Sequence, residues 1–376
     1  MEHSGIGASS AHRYWECPGS VALIKTVPKP ESSKYAIEGT VAHALAAECL
    51  TKMESPLEWV GEEILVEGEY HKVSANMADA VFEYFTTIRN DMEEFGLDQL
   101  KIETQFKLPS IDPDARGTND AVLWADFDRL IIYDYKHGAG VAVDVEWNKQ
   151  LLYYALGALQ FTDPTEVETV IVQPRAIHDG GSVRRMVYSV EEVKAFGAEL
   201  KKRIAATRKK DAHLKSGSHC KFCPAMAVCL EVQKDVQSVA VADFKKSEPL
   251  SMPIEKVKQV LDKASLIKDF VSAVEAHAKH LIEIGVDVPG YKLVKKRSNR
   301  AWVDEELAKE ELVAKYGSNI YAPTKLLSPA KMDKIVEKGE LEGLVVKPDA
   351  GTTLVSNSDK REAVKGNAVT DFSEEL

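Results

Sequence analysis

The sequence is short of several things, and each shortage excludes something. Only five of its 376 residues are cysteine and 7% are aromatic. No apolar run reaches the roughly 18 residues that a membrane-spanning helix needs, so no membrane partner is expected. The first twenty residues, MEHSGIGASSAHRYWECPGS, hold neither the basic start nor the apolar stretch of a secretory leader. A cytoplasmic location is the expectation. An excess of positive charge is also missing. The formal net charge is −11, which excludes a protein coated in nucleic acid by bulk attraction but leaves local basic grooves open. No internal repeat is present, so a solenoid is excluded.

What is present is an ordinary globular composition, 44% hydrophobic and 28% charged. The length suits about two or three domains. Residues 35–53 (YAIEGTVAHALAAECLTKM) read as a helix opening near Gly39-Thr40, and 74–95 as a second helix. Strand-like pieces follow at 101–108, 121–126 and 129–136, then a helix at 147–161 and an apolar strand at 166–174. A helix over 189–210 starts with Ser189 and has Glu192 three residues on, a capping box. This alternation predicts a mixed α/β core over about 35–210. The expected division is a domain over 1–230, a linker over 231–252, a mostly helical region over 253–345 and a polar, flexible tail over 346–376.

One stretch asks for an explanation. RLIIYDYKHGAG (129–140) is an apolar run that ends in Asp134, Tyr135 and Lys136. If AVLW (121–124) pairs with it as a hairpin, Trp124 lies opposite Leu130 and Asp120 opposite Asp134. Opposed residues project on one face with Cβ atoms about 5 Å apart. Lys136 joins that face and Tyr135 points away into packing. Two facing carboxylates repel unless a cation sits between them. Oxygen ligands suit Mg²⁺ or Mn²⁺, and a lysine beside such an ion can orient or deprotonate water. The alternative is a strand end that finds surface salt bridges. Gly117 and Gly138 would let a backbone approach closely. Glu103, in KIETQFKL, could add a carboxylate, although an exposed strand glutamate is the simpler reading.

In order along the chain, Gly39-Thr40 with His43, Gly117-Thr118 with Asp120, Asp134-Tyr135-Lys136 and Gln150-x3-Tyr154 resemble the RecB-like branch of the PD-(D/E)XK nuclease superfamily. The resemblance covers about 120 residues. It implies a restriction-endonuclease-like α/β core, a mixed sheet flanked by helices. It also implies a nuclease centre in which His43, Asp120 and Asp134 hold Mg²⁺ or Mn²⁺, Lys136 completes the catalytic set, and Gln150 and Tyr154 flank it and help with DNA. The whole chain also resembles a phage-encoded family of undefined function, through SSAHRYWECPGS, GTNDAVLW, DYKHGAGVAV, NKQLLYYALGAL, CKFCPA, LLSPAKMDKIV and SDKREAV. That likeness implies a role in phage DNA replication or recombination, in the cytoplasm of a bacterial host.

Cys220, Cys223 and Cys229 form a C-x2-C-x5-C cluster, which in a chain without an export signal reads as metal binding. CRISPR-associated and AddB-type RecB-like nucleases carry one cysteine before the core and three after it. The resemblance therefore implies a [4Fe-4S] cluster on Cys17, Cys220, Cys223 and Cys229, stapling that region. Structural Zn²⁺ is the alternative. Cys49 reads as helix core.

Basic residues gather at Lys201, Lys202, Arg203, Arg208, Lys209 and Lys210, and again at Lys295, Lys296 and Arg297. Either group can be a solvated face or a grip on DNA. The leading expectation is a metal-dependent deoxyribonuclease, an exonuclease on phage DNA ends. The competing one is a catalytically silent DNA-binding or scaffold module. The acidic end DFSEEL suggests docking on a single-strand-binding or annealing protein.

Overall fold

A computed structural model describes residues 5–28, 33–96, 99–124, 129–240 and 254–291. Residues Met1–Leu281 form one compact unit and Ile282–Leu376 a second. The basic residues 295–297, the helices expected beyond 303, the tail from 346 and the remainder of the linker at 241–252 lie outside the described residues.

The first unit is built on a five-stranded mixed sheet in the order β3-β4-β5-β6-β7. The strands are β3 (Gln99–Lys107), β4 (Arg116–Trp124), β5 (Arg129–Tyr135), β6 (Glu166–Val172) and β7 (Val183–Ser189). A separate hairpin pairs β1 (Glu63–Val66) with β2 (Glu69–Lys72). All neighbours in the large sheet are antiparallel except β5 and β6. A parallel pair needs a long crossover, and residues 136–165 supply it with α5 (Lys149–Ala158).

Because β5 sits at the centre of the sheet, both of its faces are covered, and this explains its unbroken apolar run. Leu130 and Ile132 pack on one face with the N-terminal segment, α5 and α6 (Val190–Thr207). Ile131, Tyr133 and Tyr135 pack on the other with α3 (Lys34–Lys52) and α4 (Ala75–Phe95). The helices begin where capping chemistry dictates. Ser33, Ser74 and Asn148 accept from the first-turn amides of α3, α4 and α5, and Ser189 with Glu192 closes the capping box of α6. The helix carrying His43 therefore opens at Ser33, not near Gly39-Thr40.

Two short N-terminal helices, α1 (Ala11–Glu16) and α2 (Ser20–Ile24), run beside the cysteine region. The expected linker starts differently from the expectation. Residues Leu230–Ala240 form α7, whose Val232 and Val236 pack under Cys220 and Cys229. An apolar face pays off only where it is buried, and here the cysteine region buries it. The long helix α8 (Ile254–Glu283) adds Leu266, Phe270 and Ala273 to the same cluster. No helix among the described residues is long and apolar enough to cross a membrane.

Candidate functional site

The hairpin register is the expected one. Trp124 pairs with Leu130, and the ladder runs through Ala121 opposite Tyr133. One step further, Asp120 and Asp134 occupy the same end of the sheet. Asp134 is buried. Both of its oxygens accept from the Lys136 ammonium, at 3.1 and 2.8 Å. Asp120 accepts from the Tyr135 amide at 2.7 Å and lies 3.3 Å from His43 Nδ1. Each carboxylate thus has its own counter-charge.

From α5, Gln150 Oε1 accepts from Lys136 at 3.0 Å, and Gln150 Nε2 donates to the Tyr154 hydroxyl at 3.2 Å. The i, i+4 spacing puts both side chains on the face that meets the sheet end. Tyr154 is only 3% exposed, so it reaches the site through Gln150 and is not open to a ligand in this arrangement. Gly117 matters for the same packing. A Cβ there would lie 2.8 Å from Ala8 Cβ and 3.0 Å from Tyr154. At Gly138 a Cβ would meet nothing within 4 Å, so close approach is not what that glycine provides.

Glu103 is the residue the alternation pattern undervalues. It stands opposite Asp120 in register, and the β3–β4 ladder skips this one position between Ile102–Ala121 and Thr104–Asn119. Its φ of 46° lies in the left-handed region, uncommon for a non-glycine residue inside a strand. The result is an exposed carboxylate beside the site. His43, Glu103 and Asp120 each offer a ligand atom, all within 4.8 Å of one another, the one such group among the described residues. Asp134 is not in that group, and both of its oxygens meet Lys136. The group shares His43 and Asp120 with the expected metal set of His43, Asp120 and Asp134.

The electrostatics follow from burial and these pairings. Burial and then the nearby Asp120 push the Glu103 carboxyl up to about 7. Burial also raises Asp134, against the pull of Lys136. Asp120 is lowered, since His43 outweighs the burial that opposes it. His43 and Lys136 are both raised, because their carboxylate neighbours more than offset desolvation.

Tyr135 points to the opposite face, as its place in the strand requires. It is fully buried, packs edge-on against His43 with ring centres 5.3 Å apart, and meets His137 Nδ1 through its hydroxyl at 2.8 Å. His137 in turn contacts Glu38 and Arg175. The loop after Lys136 is pinned by Gln173, whose amide donates to Gly138 O and Val141 O and accepts from the Val143 amide. None of Glu38, His137, Gln173 and Arg175 forms a local motif, so no sequence spacing announces them.

The second cluster lies at the other end of the unit's sequence. Cys17, Cys220, Cys223 and Cys229 line one cavity, together with Arg13 and Ser20. All four are free thiols. The Lys215 amide donates to Cys17 Sγ at 3.3 Å. Gly19 allows residues 212–213 to pass close by, since a Cβ there would sit 2.5 Å from Ala212 O. No three of these sulfurs come within 4.8 Å of one another. Cys49 is buried in α3, as expected.

The basic run at 201–210 is less free than its charge suggests. Lys202 and Arg203 pair with Glu199, and Arg203 also donates to Trp15 O. Arg208 is held by Asp112 and Asp114. Lys201, Lys209 and Lys210 are exposed and form no ion pair among the described residues.

The family described as a protein of unknown function (DUF2800) matches residues 3–362. The chain belongs to that family. Among solved structures, the crystal structure of SSO0001 is similar at 10% identity with a TM-score of 0.24, over 56% of this chain and 94% of that one. That likeness is too distant to bear on fold or activity. The family's description assigns no chemistry, so the chemistry rests on the two residue clusters.

Proposed function

We propose that this protein is a metal-dependent DNA nuclease of the RecB-like PD-(D/E)XK type, acting as an exonuclease on phage DNA ends. The observation that carries the reading is the convergence of six side chains from five separate elements on one sheet end: His43 of α3, Glu103 of β3, Asp120 of β4, and Asp134, Lys136 and Gln150 around β5 and α5.

The donor set fits a divalent cation. Atoms about 2.0–2.3 Å from a common ion lie at most roughly 4.6 Å apart. His43, Glu103 and Asp120 meet that limit nearly as they stand. An imidazole with carboxylates favours Mn²⁺ over Mg²⁺, which prefers oxygen alone. Such an ion polarises a phosphoryl oxygen and acidifies bound water. The protein's own part is positional. Lys136, kept protonated by Asp134, is a hydrogen-bond donor to water or to the phosphate, not a base. Gln150 fixes its direction, and Tyr154 fixes Gln150. A catalytically silent DNA-binding module would have no need for this assembly of ionised groups, each of which is costly to bury.

The cysteine cavity supports a thiolate centre that ties residues 17–20 to 215–229. Zinc holds four sulfurs about 3.8 Å apart. The resemblance to iron–sulfur RecB-like nucleases favours a [4Fe-4S] cluster over zinc.

End-labelled single- and double-stranded DNA with Mn²⁺ tests the activity. Cleavage that is lost in Asp120→Ala and Lys136→Ala is expected. Intact DNA across ends, metals and salts would sink the reading.

A further inference from the structure

Buried polar atoms nearly always have a partner, because an unpaired one loses its water and gains nothing. Among the described residues six buried side-chain atoms have none, and two of the six, Arg13 Nε and Ser20 Oγ, line the cysteine cavity. They reach it from different elements, Arg13 from α1 and Ser20 from the first position of α2. Ser20 is 2% exposed, so bulk water does not satisfy it. Cys223 and Cys17 are close enough to Arg13 to oppose the lowering that burial imposes on its guanidinium. The one cavity donor already in place, the Lys215 amide, points at a sulfur.

We infer that Arg13 and Ser20 are outer hydrogen-bond donors to a sulfur-ligated metal centre on Cys17, Cys220, Cys223 and Cys229, with Arg13 also balancing its negative charge. The inference rests on the reading of those four cysteines as a thiolate centre. Four thiolates around a [4Fe-4S] core or around Zn²⁺ leave the same net charge of about −2. A cationic donor inside the cavity offsets that charge in either case. Donors to the sulfurs raise a cluster's reduction potential and hold its ligands in place.

The test uses the full chain, purified without oxygen, as wild type, Ser20→Ala, Arg13→Gln and Arg13→Lys. Iron and zinc content, visible absorption, midpoint potential and the rate of metal loss to a chelator are measured. Ser20→Ala removes one oxygen and leaves α2 intact, so it guards against simple misfolding. Both Ser20→Ala and Arg13→Gln are expected to lower the potential and to release metal roughly tenfold faster, while Arg13→Lys recovers part of the loss. If the centre holds zinc, release alone decides. Wild-type potential and release in both variants would overturn the donor assignment and leave the thiolate centre standing. A wild-type protein that holds neither metal, with all its thiols free, would overturn the centre and the inference together.

Discussion

The sheet-end cluster and the cysteine cavity are both groups of polar side chains gathered from distant parts of the chain, yet they differ in one respect. At the sheet end the charges answer one another: His43 with Asp120, and Lys136 with Asp134. Of the charged groups there, only Glu103 is without an ion pair among the described residues. In the cysteine cavity the buried atoms Arg13 Nε and Ser20 Oγ have no hydrogen-bond partner. Regular strands and capped helices hold the first cluster, and short 3-10 turns hold the second. The first can therefore form without an ion. The second, on the proposed reading, is completed by one.

If the cysteine cavity holds the proposed metal, its removal is the largest effect that would break this contrast. Cys223→Ser, or prolonged chelation, should lower the melting midpoint by roughly 10 °C, taking 2–4 °C per kcal/mol for a domain of this size. Limited proteolysis should open new cuts at 208–230, while the sheet stays protected. A thermal midpoint and cleavage pattern like those of the wild type would mean that the cavity is ordinary apolar packing. Removing Mn²⁺ or Mg²⁺ should open no cuts at 208–230.

Next in size is Lys136→Met, which strips Asp134 of its partner. Burial already raises Asp134, so the acid would take up a proton instead of staying charged. The stability loss is then about 1–3 kcal/mol at neutral pH. Its sign can be checked. A carboxyl whose folded value exceeds its unfolded value binds more protons when folded, so stability falls as pH rises above the ordinary carboxylate range. Melting curves of the variant should converge on wild type in acid and diverge from it at neutral pH. Cleavage should fall on the order of 10²–10³-fold. A loss of stability that is independent of pH would show that Lys136 acts through packing alone.

How much of this was legible in the sequence follows the same contrast. Pairing AVLW with the apolar run that follows it, Trp124 opposite Leu130, gave the register that β4 and β5 adopt. The i, i+4 spacing of Gln150 and Tyr154 and the Ser189–Glu192 box were equally readable. Glu103 was not. Nothing about a glutamate signals a left-handed φ in mid-strand, which the surrounding tertiary structure imposes. The pairing within the basic run was hidden for a related reason. Arg208 is neutralised by Asp112, 96 residues away, and no local charge count sees that. Arg13 and Ser20 stood in plain view beside Cys17, but their lack of partners is a three-dimensional fact. The start of the expected linker reads as polar chain until Val232 and Val236 meet the cysteines.

A smaller effect sharpens the role of Glu103. Its carboxyl is raised from 4.5 to about 7. In metal-free protein the folded state thus binds more protons than the unfolded state between those values, and stability declines as pH rises through that window. Glu103→Gln should remove this part of the slope and raise the melting midpoint at pH 8. Mn²⁺ added to wild type should stabilise it most above pH 7, where Glu103 is ready to ligate, and the variant should respond weakly. The same Mn²⁺ response in both proteins would take Glu103 out of the ligand set.

The smallest expected effect is at Tyr135, and it probes the face assignment on which the sheet-end cluster depends. Tyr135→Phe keeps the ring that packs on His43 and Tyr84 and keeps the amide that donates to Asp120. It loses only the hydroxyl contact to His137 Nδ1, which has Glu38 and Arg175 as its remaining partners. A hydrogen bond of this kind is worth about 0.5–1.5 kcal/mol net. Cleavage should stay within a few-fold of wild type, whereas Asp134→Ala and Lys136→Ala lose it. If all three substitutions abolish cleavage equally while the proteins remain folded, then Tyr135 and Lys136 do not serve opposite faces of the strand in the working enzyme, and the grouping of Asp120, Asp134 and Lys136 on one face fails with it.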